Sequence, residues 1–250
     1  MLPVMCASMS TARHNTRRVG AEPETGRRPR VAIVAARNEA DSIAATLRAL
    51  AGAIPGVELW VADDASGDGT SEAAMAAGAR VVSRGRPHGK GANVTAAAEA
   101  VLSDGPEPAV VLLCDGDLGD SASELLRLVE AVEAGECDLA VAAFARRVGG
   151  GFGVALSFAR WAVRRRCGLK PAAPISGQRA MRGSLLRRLL PFASGYGLEI
   201  GMTIDAARAG KSLREYELDL EHRPTGRDLG GFAHRALQLR DFVKVYLGRR

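Results

Sequence analysis

The chain has 250 residues, 47% of them apolar and 25% charged, which is enough apolar side chain to bury the core of one α/β domain or one and a half. Aromatic residues make up only 4%, so the net charge of +6 does not signal a stacking platform for single-stranded nucleic acid. The excess charge is local, gathered in the first thirty residues (Arg13, Arg17, Arg18, Arg27, Arg28, Arg30) and in Arg160 to Lys170, where it suits a phosphorylated molecule or an anionic surface as well as DNA.

Residues 1–29 are rich in Arg, Thr, Pro and Gly with no apolar period, and read as a disordered leader. Met1 to Arg18 is polar and basic where a signal peptide needs an apolar centre. No uncharged run reaches the roughly eighteen residues of a membrane span. The cysteines, Cys6, Cys114, Cys137 and Cys167, are scattered without metal-site or disulfide spacing. These features predict a soluble, cytoplasmic protein.

From residue 31 the pattern changes. VAIVAA (31–36) predicts a strand, and 41–51 a helix with Ile43, Leu47 and Leu50 at helical spacing. VELWVADD (57–64) predicts the next strand, followed by a helix over about 69–77 and a short strand at 79–83. After the glycine-rich GRPHGKG come an alanine-rich helix (92–102), a buried strand (109–114), an amphipathic helix (121–134) and a strand (137–144). Strand and helix alternating at this pace predict an α/β fold with a mostly parallel, doubly wound sheet. Beyond Arg146 the rhythm breaks into a glycine-rich entry with a basic helix, a short strand within PISGQRAMRG, a helix at 195–209, a strand at 211–220 and a terminal helix at 229–247. That second half suits the reception of a second substrate.

Polar, ligand-competent residues cluster where the predicted strands end. AARNE (35–39) follows the first, DDASGDGT (63–70) the second, Lys90-Gly91 lies in the loop after the third, and Asp115-Gly116-Asp117 follows the fourth. In open α/β sheets ligands sit beyond the carboxyl ends of the strands, so this order describes a binding crevice. Asp-x-Asp at a strand end supplies hard oxygen ligands for Mg²⁺ or Mn²⁺, which are typically held by one or two carboxylates plus substrate phosphates. The plainer alternative is a set of turns, with Asn38, Asp41, Thr70 or Asp120 capping the helices that follow. A dehydrogenase would show G-x-G-x-x-G after the first strand and a P-loop enzyme G-K-[ST]; this chain has Ala-Ala-Arg-Asn, and Lys90 is followed by Gly91. A nucleotidyltransferase-like enzyme would show a glycine-rich signature in place of Arg37-Asn38-Glu39.

Asn38-Glu39, Asp63-Asp64-Ala65-Ser66-Gly67-Asp68-Gly69-Thr70 and Asp115-Gly116-Asp117 together resemble a family-2-like glycosyltransferase of the GT-A fold. Gly177-Gln178-Arg179, PFASGYGLEIG (191–201) and His222 are similar to the glucosyl-3-phosphoglycerate synthase group and, more distantly, to dolichyl-phosphate mannose synthases. The resemblance implies a nucleotide-sugar half (30–146) and an acceptor half (147–250) of one domain. It implies transfer of a hexose from a UDP-glucose or GDP-mannose type donor, with Mg²⁺ or Mn²⁺, to a small phosphorylated or carboxylated acceptor such as 3-phosphoglycerate. A polyprenyl phosphate at a membrane surface is the alternative acceptor.

On that resemblance Asp117 is the main metal ligand, Asp115 binds the ribose or the metal, and His222 completes the shell. Lys90, with Arg86 or His88, meets the diphosphate. Asp64 accepts from the base imide, and Asn38 and Glu39, with Ala35 beside them, line the nucleoside pocket. Glu199 is either the general base for the acceptor hydroxyl or the holder of donor sugar hydroxyls. Gln178 and Arg179 lie near the acceptor, and Arg160, Arg164, Arg165 and Lys170 hold its phosphate. A homodimer is compatible with this reading, and nucleic acid is not a partner in it.

Overall fold

A computed structural model describes residues 28–144, 153–221 and 229–249, the side chains of 229–236 excepted. The leader through residue 27 and His222 lie outside the described residues. Parallel strands β1 (Arg30–Ala36), β2 (Val57–Asp63), β3 (Arg80–Ser83) and β4 (Val110–Asp115) alternate with helices α1 (Ile43–Ala53), α2 (Thr70–Ala76) and α3 (Lys90–Asp104). After β4 come α4 (Leu126–Glu133), β5 (Leu139–Phe144), α5 (Val154–Cys167), β6 (Arg179–Arg182), α6 (Gly183–Leu189), α7 (Leu198–Arg208), β7 (Leu213–Leu218) and α8 (Leu229–Gly248). All seven strands share one sheet, in the order β3-β2-β1-β4-β6-β5-β7. β6 alone runs antiparallel to its neighbours, β4 and β5.

The continuous apolar runs of β1 and β4 follow from burial on both faces. Side chains alternate across a strand, so Ala32, Val34, Leu112 and Cys114 enter the core under α1 and α4, while Val31, Ile33, Val111 and Leu113 enter the one under α3 and α6. A third cluster, with Ala159, Val163, Ile200, Ile204 and Phe242, joins α5, α7 and α8. Each fully buried Ile, Leu or Val stabilises by about 1.5–3 kcal/mol relative to exposure, so these three clusters fix where the polar strand ends emerge.

The structure corrects several local expectations. The helix expected at 92–102 begins at Lys90, so Lys90 stands on its first turn rather than in a loop. The helix expected over 121–134 opens as a 3₁₀ segment, Gly119–Leu125, before α4. The helix expected at 195–209 opens with the 3₁₀ turn Gly195–Gly197. α6 was not expected, because its seven residues span too few turns for an apolar period to show. The residue preceding α1 is Ser42 and the one preceding α2 is Gly69, so neither Asn38, Asp41 nor Thr70 holds the capping position.

Candidate active site

The ends of three strands are laced together at β1. The Asp64 N–H donates to the Ala36 carbonyl at 3.0 Å, and the Gly116 N–H donates to the Ala35 carbonyl at 2.9 Å. Ala36 is thereby in register with Asp63, and Ala35 with Asp115, so both acidic turns open on the same edge of the sheet. Ala35 contributes through this carbonyl.

On one side, the loops after β1 and β2 interlock. Asn38 and Ala65 both adopt positive φ, 56° and 55°. The Asn38 N–H donates to Ser66 Oγ at 2.9 Å, and Asn38 Oδ1 accepts the Gly67 N–H at 3.1 Å. Glu39 donates its N–H to Thr70 Oγ1 at 2.8 Å and accepts the Ser42 hydroxyl on Oε2 at 2.8 Å. Buried Asp63 accepts from Ser66, Ser71 and Ser83, which makes it a staple of the turn. Asp64, 6% exposed, accepts the His88 N–H at 2.7 Å, the Gly89 N–H at 3.1 Å and the amide of Asn93, which itself accepts from Arg84. Asp64 therefore ties β2 to the loop that leads into Lys90. The side chains of Arg86 and His88 are exposed at that loop.

The centre of the crevice is a trio of charges from three distant parts of the chain. Lys90 Nζ lies 2.7 Å from Asp115 Oδ1 and 2.9 Å from Glu199 Oε1. Burial by itself would lower the Lys90 pKa, but the charges of Asp115 and Glu199 outweigh it and the net shift is upward. Gln178, fully buried, donates from Nε2 to Asp115 Oδ2 at 3.0 Å, so both oxygens of Asp115 are engaged by neighbours. Gly177 permits this approach: a Cβ there would stand 2.6 Å from Lys90 Nζ and 2.7 Å from Asp115 Oδ2.

Asp117 sits one turn further, half-buried. Its turn is clamped by buried Thr46 of α1, whose hydroxyl donates to the Gly116 carbonyl and accepts the Gly119 N–H, both at 2.9 Å. The Glu221 N–H donates to Ser121 Oγ at 3.1 Å, which brings the chain to the segment following the acidic turn at the last described residue before His222. Among the described residues no three His, Cys, Asp or Glu side chains form a ready metal cluster. Two carboxylates at the mouth of a cleft nonetheless fit a hard divalent ion whose remaining ligands are substrate phosphate oxygens and water.

The acceptor assignments need correction. Arg179 is 1% exposed and donates to the Ser176 carbonyl at 2.8 Å, Thr203 Oγ1 at 2.8 Å and the Pro174 carbonyl at 3.1 Å. Burial pulls its pKa down to about 10, and its guanidinium braces the segment before β6 against α7 instead of facing an acceptor. Gln178 positions Asp115. Arg164 is exposed on α5, as are Arg160, Arg165 and Lys170 nearby, and the Arg160 guanidinium is spent on the Ala172 carbonyl at 2.7 Å.

Glu199, 6% exposed, is delivered by a glycine-bearing turn packed under α8. The Tyr196 N–H donates to Asp241 Oδ2 at 3.2 Å. A Cβ on Gly91 would meet the Ala193 carbonyl at 1.9 Å, and one on Gly197 would meet Val245 Cγ2 at 2.3 Å. Thr46, Asn93 and Asp241 were not singled out in the sequence. Gly177, which the Gly177-Gln178-Arg179 resemblance did include, is the small residue that this close approach requires.

The sequence of residues 31–187 matches glycosyl transferase family 2. The chain belongs to that family. This glycosyltransferase is 32% identical over 210 residues, 78% of its own length and 84% of the relative's, to the undecaprenyl-phosphate mannosyltransferase of Micrococcus luteus. In three dimensions it resembles glucosyl-3-phosphoglycerate synthase from Mycobacterium tuberculosis in complex with phosphoglyceric acid, with a TM-score of 0.71, 30% identity, and coverage of 89% of this chain and 80% of that one. The same synthase with Mn²⁺, UDP and glucosyl-3-phosphoglycerate superimposes at a TM-score of 0.71 with 29% identity, again covering 89% and 80%. The α/β sheet of this chain matches the GT-A architecture of these neighbours.

Proposed function

We propose that the protein moves a hexose from a UDP-glucose or GDP-mannose type donor to a small phosphorylated or carboxylated acceptor such as 3-phosphoglycerate, with Mg²⁺ or Mn²⁺. The observation that carries this reading is the Lys90–Asp115–Glu199 trio at the carboxyl ends of the strands, beside Asp117. Asp117, assisted by Asp115 and His222, would hold the ion. The ion supplies neutralisation of the leaving diphosphate.

Lys90 does the same work as a fixed ammonium, and it stands at the positive end of the α3 dipole, which favours an anion. Asp64, Asn38 and Glu39 form the wall on which the nucleoside would lie. Glu199, held by Lys90 and by the turn under α8, would act at the reacting carbon, fixing donor sugar hydroxyls or serving as base for the acceptor hydroxyl. The test is incubation with UDP-glucose or GDP-mannose and a panel of 3-phosphoglycerate, glycerate and polyprenyl phosphate, with the product anomer read by NMR. Glu199→Gln is expected to keep nucleotide binding while turnover falls by roughly two or more orders of magnitude, because the interactions lost are those at the reacting centre. A fully active Glu199→Gln removes that residue from the site.

A second reading has its own support. The Micrococcus luteus relative is named for a lipid-borne acceptor, and α5 exposes arginines beside Trp161. Transfer to polyprenyl phosphate alone in the same panel would replace the small acceptor with this one.

A further inference from the structure

Exposed apolar surface is concentrated on one face of the molecule. Among the described residues the exposed large hydrophobic side chains are Met75, Val154, Trp161, Leu237 and Leu247, and all but Met75 belong to α5 or α8. On α5, Val154 (59% exposed), Trp161 (48%) and Arg165 fall on one side of the helix; on α8, Leu237, Arg240, Lys244 and Leu247 form a similar row. Aromatic contacts join the two helices there. The Trp161 ring lies 4.8 Å from Tyr246 and 5.5 Å from Phe158, and the Arg166 guanidinium sits 3.9 Å over Tyr246. These contacts hold the indole upright while leaving half of it in water.

The charge on this face has one sign. α5 contains no acidic residue, and the single one in α8, Asp241, is 8% exposed; it accepts from Tyr196 and from Arg240, with Lys244 4.0 Å away, so it offsets part of the α8 charge from beneath while only the cations reach the surface. Arg164 and Arg165 on α5, and Arg240 and Lys244 on α8, are exposed. A second copy would bring an equally cationic face to a two-fold interface, which disfavours self-association through it. Nucleic acid would account for the cations but not for the exposed Val154, Leu237 and Leu247. Aliphatic side chains, an interfacial tryptophan and flanking Lys and Arg are the combination that lies in the headgroup layer of an anionic bilayer.

We propose that the α5–α8 face docks peripherally on an anionic lipid surface, with Trp161 and Leu247 entering the headgroup boundary and Arg165 and Lys244 meeting lipid phosphates. No described helix is long and apolar enough to cross the membrane, so the contact is lateral. The same α8 holds the turn that delivers Glu199, through Asp241 and Val245, so docking brings the site to within one helical layer of the bilayer. The inference rests on the surface and needs no turnover, so it stands or falls separately from the transferase reading.

The test uses the full chain and vesicles of phosphatidylcholine with or without about a third phosphatidylglycerol. Sedimentation with the anionic vesicles is expected at low salt and is lost at high salt. Of the two tryptophans Trp60 is 4% exposed, so a blue shift in emission on binding reports Trp161. Arg165→Glu with Lys244→Gln should weaken partitioning by at least about tenfold with the fold retained, and Trp161→Ser should weaken it and abolish the shift, with at most a modest fall in melting temperature from the lost ring contacts with Phe158 and Tyr246. Absence of sedimentation at low salt, equal binding to neutral vesicles, or a lipid-free dimer that itself shifts Trp161 would each overturn the proposal. Intact vesicle binding in a protein that turns over no nucleotide sugar would leave it standing and remove the transferase reading.

Discussion

Lys90 neutralises two carboxylates at once, so its removal exposes a conflict instead of a gap. Lys90→Met leaves Asp115 and Glu199 facing one another without a cation, which is expected to cost about 2–4 kcal/mol in the range known for broken buried pairs, discounted because the Lys90 side chain is 24% exposed. Chemical denaturation reads that cost. The pKa of Lys90 is raised in the folded state, so its stabilisation is complete below the ordinary lysine value and is lost only as pH climbs above it. A melting temperature tied to this trio is therefore flat from neutrality to mild alkali; a decline already at pH 8 would contradict the sign. Gly177→Ala separates geometry from stability: its Cβ would press on the flexible end of Lys90 and on Asp115, so stability should fall by less than about 1 kcal/mol while nucleotide affinity drops severalfold. Arg179→Lys should do the reverse, costing about 1–3 kcal/mol through unsatisfied carbonyls and leaving the acceptor KM unchanged. In the sequence, Arg179 falls near the acceptor only through the resemblance carried by Gly177-Gln178-Arg179. Its burial follows from the antiparallel placement of β6 beside β4, which no local pattern encodes.

At the scale of elements, the parallel strands were legible because burial on both faces leaves long apolar runs that stop abruptly at polar residues. The second half was legible only in outline, since α6 is short and β6 has four residues. Nor did the sequence reveal how α8 grips the turn before α7. Asp241 takes the Tyr196 N–H and Val245 fills the space beside Gly197, so the terminal helix sets the approach of Glu199. Gly197→Ala should overpack this contact and cost about 1–3 kcal/mol. Its turnover should fall further than its nucleotide affinity, because the loops after β1 and β2, proposed to hold the nucleoside, are untouched; equal losses in both would show that the turn does not act through Glu199.

Over the whole molecule, the polar strand ends that gather on one edge were readable because they follow consecutive strands in sequence order, whereas the trio joins residues 90, 115 and 199. Ligand binding tests the assembled cleft. With Mn²⁺ and UDP at a hundred times the dissociation constant, linkage predicts about 2.7 kcal/mol of stabilisation, or roughly 5–10 °C in melting temperature for a chain of this size. Asp117→Ala should remove the metal-dependent part and leave the apo melting temperature in place. A lack of response to UDP and GDP with any divalent ion would withdraw the nucleotide reading.

The reversed direction of β6 has a further consequence. β5 runs parallel to β4 and ends at the mouth of the cleft, and β6, running backward, begins at that same mouth. The intervening stretch, residues 145–178, therefore departs from and returns to the edge where the sugar would be transferred. Its last residues are anchored, since the Gln178 carbonyl accepts the Ala142 N–H, its amide holds Asp115, and Pro174 and Ser176 accept from Arg179, so the part open to exchange ends at residue 173. Grafting residues 145–173 from a relative with a different acceptor, with the core positions Ala159, Ala162 and Val163 of α5 retained, should alter acceptor choice while donor affinity stays near its starting value, because Gly177 and Gln178 beside Asp115 are kept.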